Sequence, residues 1–241
     1  MQAKQSIRIL VAEDNAINQQ VIKRMLEHGG YAVRTVSHGG EAIEALQTGH
    51  YDLVIMDCLM PVMDGYAATR AIRASRSKEF DPQIPVLAIT ALATPGEREK
   101  CLAAGMTAYI SKPVKVEQLS HQLQQLLELP DDPPAVTAQD PRQALAEILL
   151  SMSDRLLSDI ETWRRQLLAF DPGGPLNPPR HLAHTIRGTA DVLGEVQLSA
   201  VAAQLETSAA TPPGESIAPM MMALVDALQR LEFKLKSGHV A

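Results

Sequence analysis

The chain has 241 residues, of which 46% are hydrophobic and 21% charged, the balance of an ordinary globular protein long enough for two domains. Its formal net charge is −6, and residues 130–241 carry 9 basic against 14 acidic side chains, which argues against a nucleic-acid partner. Because no apolar run reaches the roughly 18 residues of a membrane span and the first residues do not form a secretory signal, we expect a cytoplasmic protein without membrane insertion.

The first 129 residues alternate short apolar runs with amphipathic segments. Strands are predicted at residues 7–12, 32–36, 52–56, 85–90 and 107–110. Helices are predicted near residues 15–28, 39–48, 64–75, 96–104 and 114–128. This alternation predicts an α/β domain over residues 1–129, with a five-stranded parallel sheet covered by helices on both faces.

A proline-rich segment separates this domain from the rest of the chain. Residues 128–141, ELPDDPPAVTAQDP, hold 4 prolines and 3 aspartates, so we predict an extended linker over residues 130–141. Beyond it, Asp140 is the expected cap and Pro141 the first residue of a helix. Further helical spacing near residues 180–193, 195–209 and 215–236 predicts an all-α bundle of four to five helices over residues 142–241.

Polar side chains follow the ends of four predicted strands. Glu13 and Asp14 follow the first strand, Asp57 the third, Thr90 ends the fourth and Lys112 follows the fifth. Because the carboxyl ends of parallel strands share one edge, we expect these groups in one crevice. Three clustered carboxylates need a cation, and oxygen ligands suit Mg²⁺. The cluster predicts a site that accepts a phosphoryl group.

Four motifs in this half resemble those of the response-regulator receiver domain. They are LVAEDN, VIMDCLMPVMDGYAATRAIR, AITALA and YISKPV, in that order. The resemblance covers about residues 5–129 and implies a doubly wound, flavodoxin-like fold with Asp57 as the phosphoacceptor.

The same resemblance implies roles for the residues around Asp57. Asp14 would bind Mg²⁺ directly, Glu13 through water, and Leu59 through its backbone carbonyl. Thr90 and Lys112 would contact the phosphoryl oxygens, Tyr109 resembles the aromatic switch residue, and the Lys112–Pro113 bond is a candidate cis peptide. The Glu-Asp acidic pair resembles that of receivers in hybrid sensor kinases.

A second candidate site lies in HLAHTIRGTADVLG, residues 181–194. At about 100° per residue, a helix places Leu182, Ile186, Ala190 and Leu193 on one side and His184, Arg187, Gly188 and Asp191 on the other. We therefore expect His184 to be exposed, as a competent nucleophile, with Arg187 able to hold a phosphate. Gly188 would let a partner approach closely, and Gly194 would end the helix.

This stretch resembles the histidine phosphotransfer domain, whose pattern is His, two residues, Lys, Gly and then small residues. The resemblance covers about residues 140–236 and implies that His184 carries the phosphoryl group. Two departures stand out: Arg187 replaces the usual Lys, and Asp191 would repel a phosphoryl group unless it pairs with Arg187 at i, i+4. An alternative is that His181 and His184, at i, i+3, bind a metal ion together.

Together these observations predict a two-component phosphorelay protein, with a sensor histidine kinase upstream and the receiver of another response regulator downstream. The chain shows no ATP-binding motif, so we do not expect it to make its own phosphohistidine. Three alternatives remain open. They are a phosphorylated receiver with an inert docking bundle, the C-terminal part of a hybrid histidine kinase, and a metal-dependent phosphatase, for which Asp57 lacks D-x-D spacing.

Overall fold

The computed structural model describes residues 7–90, 95–129, 141–170, 177–209 and 217–237, with the backbone alone for residues 95, 141–152, 177 and 178. The chain divides into two compact units, Met1–Gln139 and Asp140–Ala241. Residues 130–140, most of the predicted linker with its cap Asp140, lie outside the described residues.

The first unit contains a five-stranded parallel sheet in the order β2-β1-β3-β4-β5. The strands are β1 (Arg8–Ala12), β2 (Ala32–Val36), β3 (Leu53–Asp57), β4 (Val86–Thr90) and β5 (Ala108–Ser111). The helices are α1 (Ala16–His28), α2 (Gly39–Thr48), α3 (Gly65–Ala74), α4 (Pro95–Ala103) and α5 (Val116–Leu126). The predicted doubly wound α/β fold is confirmed.

Two apolar layers hold the sheet between its helices. Because successive side chains of a strand point to opposite faces, each central strand contributes to both layers. Leu10, Val54 and Val86 face the layer that contains residues of α2, α3 and α4, whereas their neighbours face α1 and α5. Every side chain of β3 and β4 is buried, which explains why both strands are continuous apolar runs in the sequence.

The described part of the second unit consists of four helices, which agrees with the predicted bundle. They are α6 (Pro141–Leu168), α7 (Asn177–Leu193), α8 (Val196–Ser208) and α9 (Ala218–Lys236). Helix α7 packs on α8, and α9 packs on both α6 and α8. The buried core takes apolar side chains from all four helices, among them Ile160, Trp163, Ile186, Leu205 and Leu228.

Helix α7 ends as the sequence predicts. Gly194 follows its last residue with φ +70°, a conformation in which a side chain would be strained. The N–H of Glu195 donates to the carbonyl of Ala190 at 2.9 Å and closes the last turn. Among the described residues, no helix combines the length and apolar character needed to cross a bilayer.

Candidate functional site

The polar residues at the strand ends of the first unit form a buried acidic cluster. Glu13 and Asp14 follow β1, and Asp57 is the last residue of the adjacent strand β3. One carboxylate oxygen from each lies within 4.8 Å of the others. Glu13 and Asp57 are fully buried, so their charges are poorly screened by water.

Lys112 supplies the positive charge of this cluster. Its Nζ lies 2.6 Å from Oδ2 of Asp57 and 2.9 Å from Oε2 of Glu13, and its side chain is almost completely buried. Burial alone would lower the pKa of Lys112, but Asp57 and Glu13 outweigh that effect and raise it. Burial and then the charge of Asp57 raise the pKa of Glu13 to about 8, although Lys112 opposes this. Three carboxylates therefore lie around a single ammonium.

Backbone groups fix the cluster at the edge of the sheet. The N–H of Leu59 donates to Oδ1 of Asp57 at 3.2 Å. The N–H of Lys112 donates to the carbonyl of Thr90 at 2.8 Å, which joins the end of β5 to the end of β4. The Lys112–Pro113 peptide bond is cis, as considered from the sequence.

The two remaining residues predicted for this site lie on β4 and β5. Thr90 is buried as the last residue of β4, with Ser111 opposite it in register. Tyr109 is half-buried on β5 and packs against the apolar layer beneath α2, α3 and α4. Thr90 therefore lies at the carboxyl edge of the sheet, where the cluster is, and Tyr109 lies two residues before the end of β5.

His184 on α7 is buried, and the expectation of an exposed imidazole is wrong. Its side chain is 2% exposed, and the ring Nδ1 lies 3.0 Å from Oε1 of Glu206 on α8. The helical wheel assumed a single covered face, whereas no described side chain between residues 179 and 193 is fully exposed. Gly188, expected on the open side, is buried as well.

Glu206 connects the two residues that the sequence singled out on α7. Its Oε1 faces His184 while its Oε2 accepts a hydrogen bond from Nη1 of Arg187 at 3.3 Å. Burial would raise the pKa of Glu206, but the hydrogen bond and charge of His184, together with Arg187, bring it below the ordinary value. Glu206 is therefore a carboxylate at neutral pH. Because an ionised carboxylate only accepts hydrogen bonds, Nδ1 carries the proton in this contact.

Glu206 could not be identified from the sequence, since nothing in its own segment marks it. The i, i+4 spacing did predict the pairing of Arg187 with Asp191, whose Oδ2 lies 3.9 Å from Nε of Arg187. Asp191 also accepts a hydrogen bond from the hydroxyl of Ser199 on α8. Both carboxylates near Arg187 are thus engaged by α7 and α8.

Within the described part of the chain, the acidic cluster is the only group of three or more side chains able to hold a metal ion. No third ligand joins His181 and His184 in such a group among these residues. This finding disfavours the alternative of a histidine metal pair.

Family models match both halves of the chain. The model of the response regulator receiver domain matches residues 9–124, and the model of the Hpt domain matches residues 144–233. The first match contains the whole acidic cluster and Lys112. The second contains His184, Arg187 and Glu206.

Similar curated proteins include a sensor protein and a sensor histidine kinase. Over 237 residues the chain is 30% identical to the sensor protein EvgS of Escherichia coli K12, covering 93% of this chain and 19% of that protein. Over 219 residues it is 30% identical to the sensor histidine kinase GacS of Pseudomonas protegens, covering 83% and 24%. The chain thus spans about a quarter or less of these relatives.

One similar solved structure is the receiver domain of a sensor histidine kinase from Pseudomonas aeruginosa PAO1, with a magnesium ion coordinated in its active site cleft. It is 43% identical, with a TM-score of 0.47, and covers 51% of this chain and 98% of that one. The two family matches show that the chain consists of a response regulator receiver domain followed by a histidine phosphotransfer (Hpt) domain, and that it is a protein of two-component phosphorelay signalling.

Proposed function

We propose that Asp57 is the phosphoacceptor of the receiver domain and that His184 exchanges phosphoryl groups with receiver aspartates. The observation that carries the first part is the buried cluster of Glu13, Asp14, Asp57 and Lys112. A carboxylate oxygen of Asp57 forms a bond to phosphorus while the bond between phosphorus and the donor breaks.

The cluster fits a magnesium ion, which Glu13, Asp14 and Asp57 would hold together with the carbonyl of Leu59. Hard oxygen ligands are what Mg²⁺ prefers, and the three carboxylates of the cluster stand against the single ammonium of Lys112. When bound, Mg²⁺ neutralises charge on the phosphoryl oxygens during transfer.

Residues of the chain itself would hold the transferred phosphoryl group and orient the attacking carboxylate. Lys112, now paired with Asp57, would follow the transferred group and pair with a phosphoryl oxygen, and Thr90 would donate its hydroxyl to another. The N–H of Leu59 holds one carboxylate oxygen of Asp57 and leaves the other, which now contacts Lys112, as the oxygen that attacks. Tyr109 would respond to the phosphoryl group as the switch residue.

The test is labelling of the full chain with radioactive acetyl phosphate. We expect base-labile label that requires Mg²⁺ and disappears in Asp57→Asn. The matched control is Glu99→Gln, which removes an exposed carboxylate of α4 and should label normally. Label that survives EDTA or Asp57→Asn places the phosphoacceptor elsewhere.

For His184, the contact with Glu206 assigns roles to the two ring nitrogens. With Nδ1 protonated and bound to the carboxylate, Nε2 keeps the lone pair that attacks phosphorus. Arg187 lies on the same helix one turn away and would steady the phosphoryl oxygens. A receiver partner would reach Nε2 after the side chain becomes accessible.

The relay role is tested with the Asp57→Asn full chain, so that His184 is the acceptor under study. A separate receiver labelled with acetyl phosphate should pass its label to the chain in an alkali-stable form. His184→Gln should block this transfer, whereas the control His181→Gln, one turn away on the same helix, should leave it intact.

The burial of His184 is the observation that favours a second candidate function, in which the bundle only docks a partner. If the bundle only docks a partner, phosphoryl transfer from a labelled receiver should be equally negligible for the chain that keeps His184 and for the His184→Gln variant. Binding of a receiver to both chains would then persist.

We further propose a sensor histidine kinase as the upstream partner and a receiver on another response regulator as the downstream one. The match to the Hpt domain model supports this proposal, since the resemblance implies exchange of phosphoryl groups with receiver domains. The cytoplasmic location remains a prediction from the sequence.

A further inference from the structure

Two thiols touch each other directly behind the phosphoacceptor. Cys58 follows Asp57 at the end of β3, and Cys101 lies on α4. Their sulfur atoms are 3.7 Å apart, and both side chains are buried. The chain has 2 cysteines in all, so each has the other as its only thiol neighbour within the molecule.

At this distance one thiol can donate a hydrogen bond to the other, whereas a disulfide requires about 2.05 Å between the sulfurs. The sulfurs must therefore approach by roughly 1.7 Å. Cys58 sits in the loop after a strand, where its N–H donates to the carbonyl of Ile89. Cys101 belongs to a short helix, so the approach can be shared between the loop after β3 and helix α4.

Helix α4 is the element through which an oxidant can reach the pair. Among its described side chains only Cys101 is buried, while Arg98, Glu99, Lys100 and Leu102 are exposed. The neighbouring turn adds Ala104 to the buried set. Besides Cys101, a hydrogen bond from the hydroxyl of Tyr66 on α3 to Glu97 holds this helix. We expect a helix with so few buried apolar contacts to open locally at low free-energy cost, which would expose the pair of sulfurs.

We propose that Cys58 and Cys101 form a reversible redox-modification site that a hydroperoxide converts into an intramolecular disulfide. One sulfur attacks a peroxide oxygen as its thiolate, an S–O bond forms as the O–O bond breaks, and the leaving hydroxide takes up the thiol proton, which gives a sulfenic acid and water. The second thiol then attacks that sulfur, forms the S–S bond and releases the sulfenic oxygen as water. In total, two thiols and one hydrogen peroxide give one disulfide and two waters.

The disulfide would act on the neighbouring phosphoacceptor. It draws Cys58 toward α4, and Cys58 lies between Asp57 and Leu59, whose N–H holds the Asp57 carboxylate. Because displacements of about 1 Å in a transfer site cost up to 100-fold in rate, we expect oxidation to slow labelling of Asp57 about tenfold. This effect rests on the proposed function of Asp57, whereas disulfide formation does not.

The experiment treats the reduced full chain with hydrogen peroxide, blocks remaining thiols with N-ethylmaleimide and measures the intact mass. We expect a monomer 2 Da lighter than the reduced chain with no maleimide adduct, and two adducts after treatment with dithiothreitol. Cys58→Ser and Cys101→Ser should each lose this species. A native chain that keeps both adducts at a peroxide dose that oxidises the chain in denaturant overturns the proposal, as does a disulfide-linked dimer.

Labelling of Asp57 is then measured on the same samples. The oxidised chain should label about tenfold more slowly and recover with dithiothreitol, while the Cys58→Ala/Cys101→Ala variant should be unaffected by peroxide. A disulfide without any change in labelling overturns the coupling to Asp57. Absence of label in reduced and oxidised chains alike counts against the proposed phosphoacceptor and leaves the mass result standing.

Discussion

At the scale of single residues, Glu13 couples the acidic cluster to the stability of the receiver domain. Its pKa in the folded protein is about 8, against an ordinary value of 4.5, because burial and Asp57 disfavour its charge. Between these values the folded state binds a proton that the unfolded chain releases. The free energy of unfolding from this group is therefore largest below about pH 4.5 and falls as the pH rises toward 8.

We predict that, in EDTA, the receiver domain loses stability between about pH 5 and pH 8 and levels off above that range. Urea unfolding of the chain at several pH values measures this. Glu13→Gln should remove this part of the slope, and Mg²⁺ should reduce it in the unmodified chain by stabilising the carboxylate. A stability that rises with pH in the same window, with no difference in Glu13→Gln, would contradict the assignment.

Glu206 offers a second residue-scale prediction, since charge and hydrogen bonding can be separated there. Glu206→Gln keeps an oxygen that accepts the Nδ1 proton of His184, while Glu206→Ala leaves that buried ring nitrogen without its acceptor. The alanine variant should lose about 1–3 kcal/mol of stability, more than the glutamine variant. It should also slow transfer to His184 by roughly tenfold or more through loss of ring orientation.

Thermal unfolding and the rate of transfer from a labelled receiver measure these two effects. Thr207→Ala, which alters the exposed neighbour of Glu206, serves as the control and should change neither. Equal behaviour of all three variants would mean that the contact between His184 and Glu206 contributes nothing to either property.

The two sites also differ in how far single residues could be assigned from sequence. Glu13, Asp57 and Lys112 could be predicted together because each ends a strand or directly follows one, and parallel strands bring their carboxyl ends to one edge. Glu206 could not, because it meets His184 only through the packing of α7 on α8. No periodicity within α8 distinguishes an acid that faces a histidine from one that faces water.

At the scale of elements, α7 shows the limit of a helical wheel. The wheel places apolar residues on one arc and assumes solvent on the other, which is correct for a helix with one neighbour. The strands were predicted closely, since β3 and β4 are apolar throughout and end in polar residues. The burial of α7 depends on what surrounds it, and that information is absent from its own sequence.

The entry into α3 yields a prediction at this scale. A Cβ on Gly65 would collide with the carbonyl oxygen of Asp57 and lie 2.9 Å from Cγ of Met56. Gly65→Ala must therefore displace the end of β3, and we expect a loss of about 1–3 kcal/mol in stability with slower labelling of Asp57.

The matched control is Gly96→Ala, in the first turn of α4, where a Cβ would meet open space. It should be neutral or slightly stabilising, because alanine restricts the unfolded chain more than glycine does. Urea unfolding and acetyl phosphate labelling of both variants provide the measurement. If Gly65→Ala labels and unfolds like Gly96→Ala, the close approach of α3 to Asp57 is not required.

At the scale of the whole molecule, the two compact units suggest independent folding. Each contains its own buried apolar core, one between sheet and helices and one among α6, α7, α8 and α9. We predict that residues 1–129 alone fold and label at Asp57, and that residues 142–241 alone give the circular dichroism of a helical bundle. A fragment that unfolds only in the absence of the other would contradict the predicted boundaries.

The ion pair between Lys112 and Glu13 spans 99 positions of the chain and joins the first strand to the end of the last. During synthesis, the ribosome therefore makes every carboxylate of the cluster long before it makes their counter-charge. A nascent or prematurely terminated chain that lacks β5 has the acceptor but not the ammonium. We therefore expect chains that stop before β5 to lack the charge balance of the cluster, so the placement of one lysine makes synthesis of the fifth strand the step that completes the site.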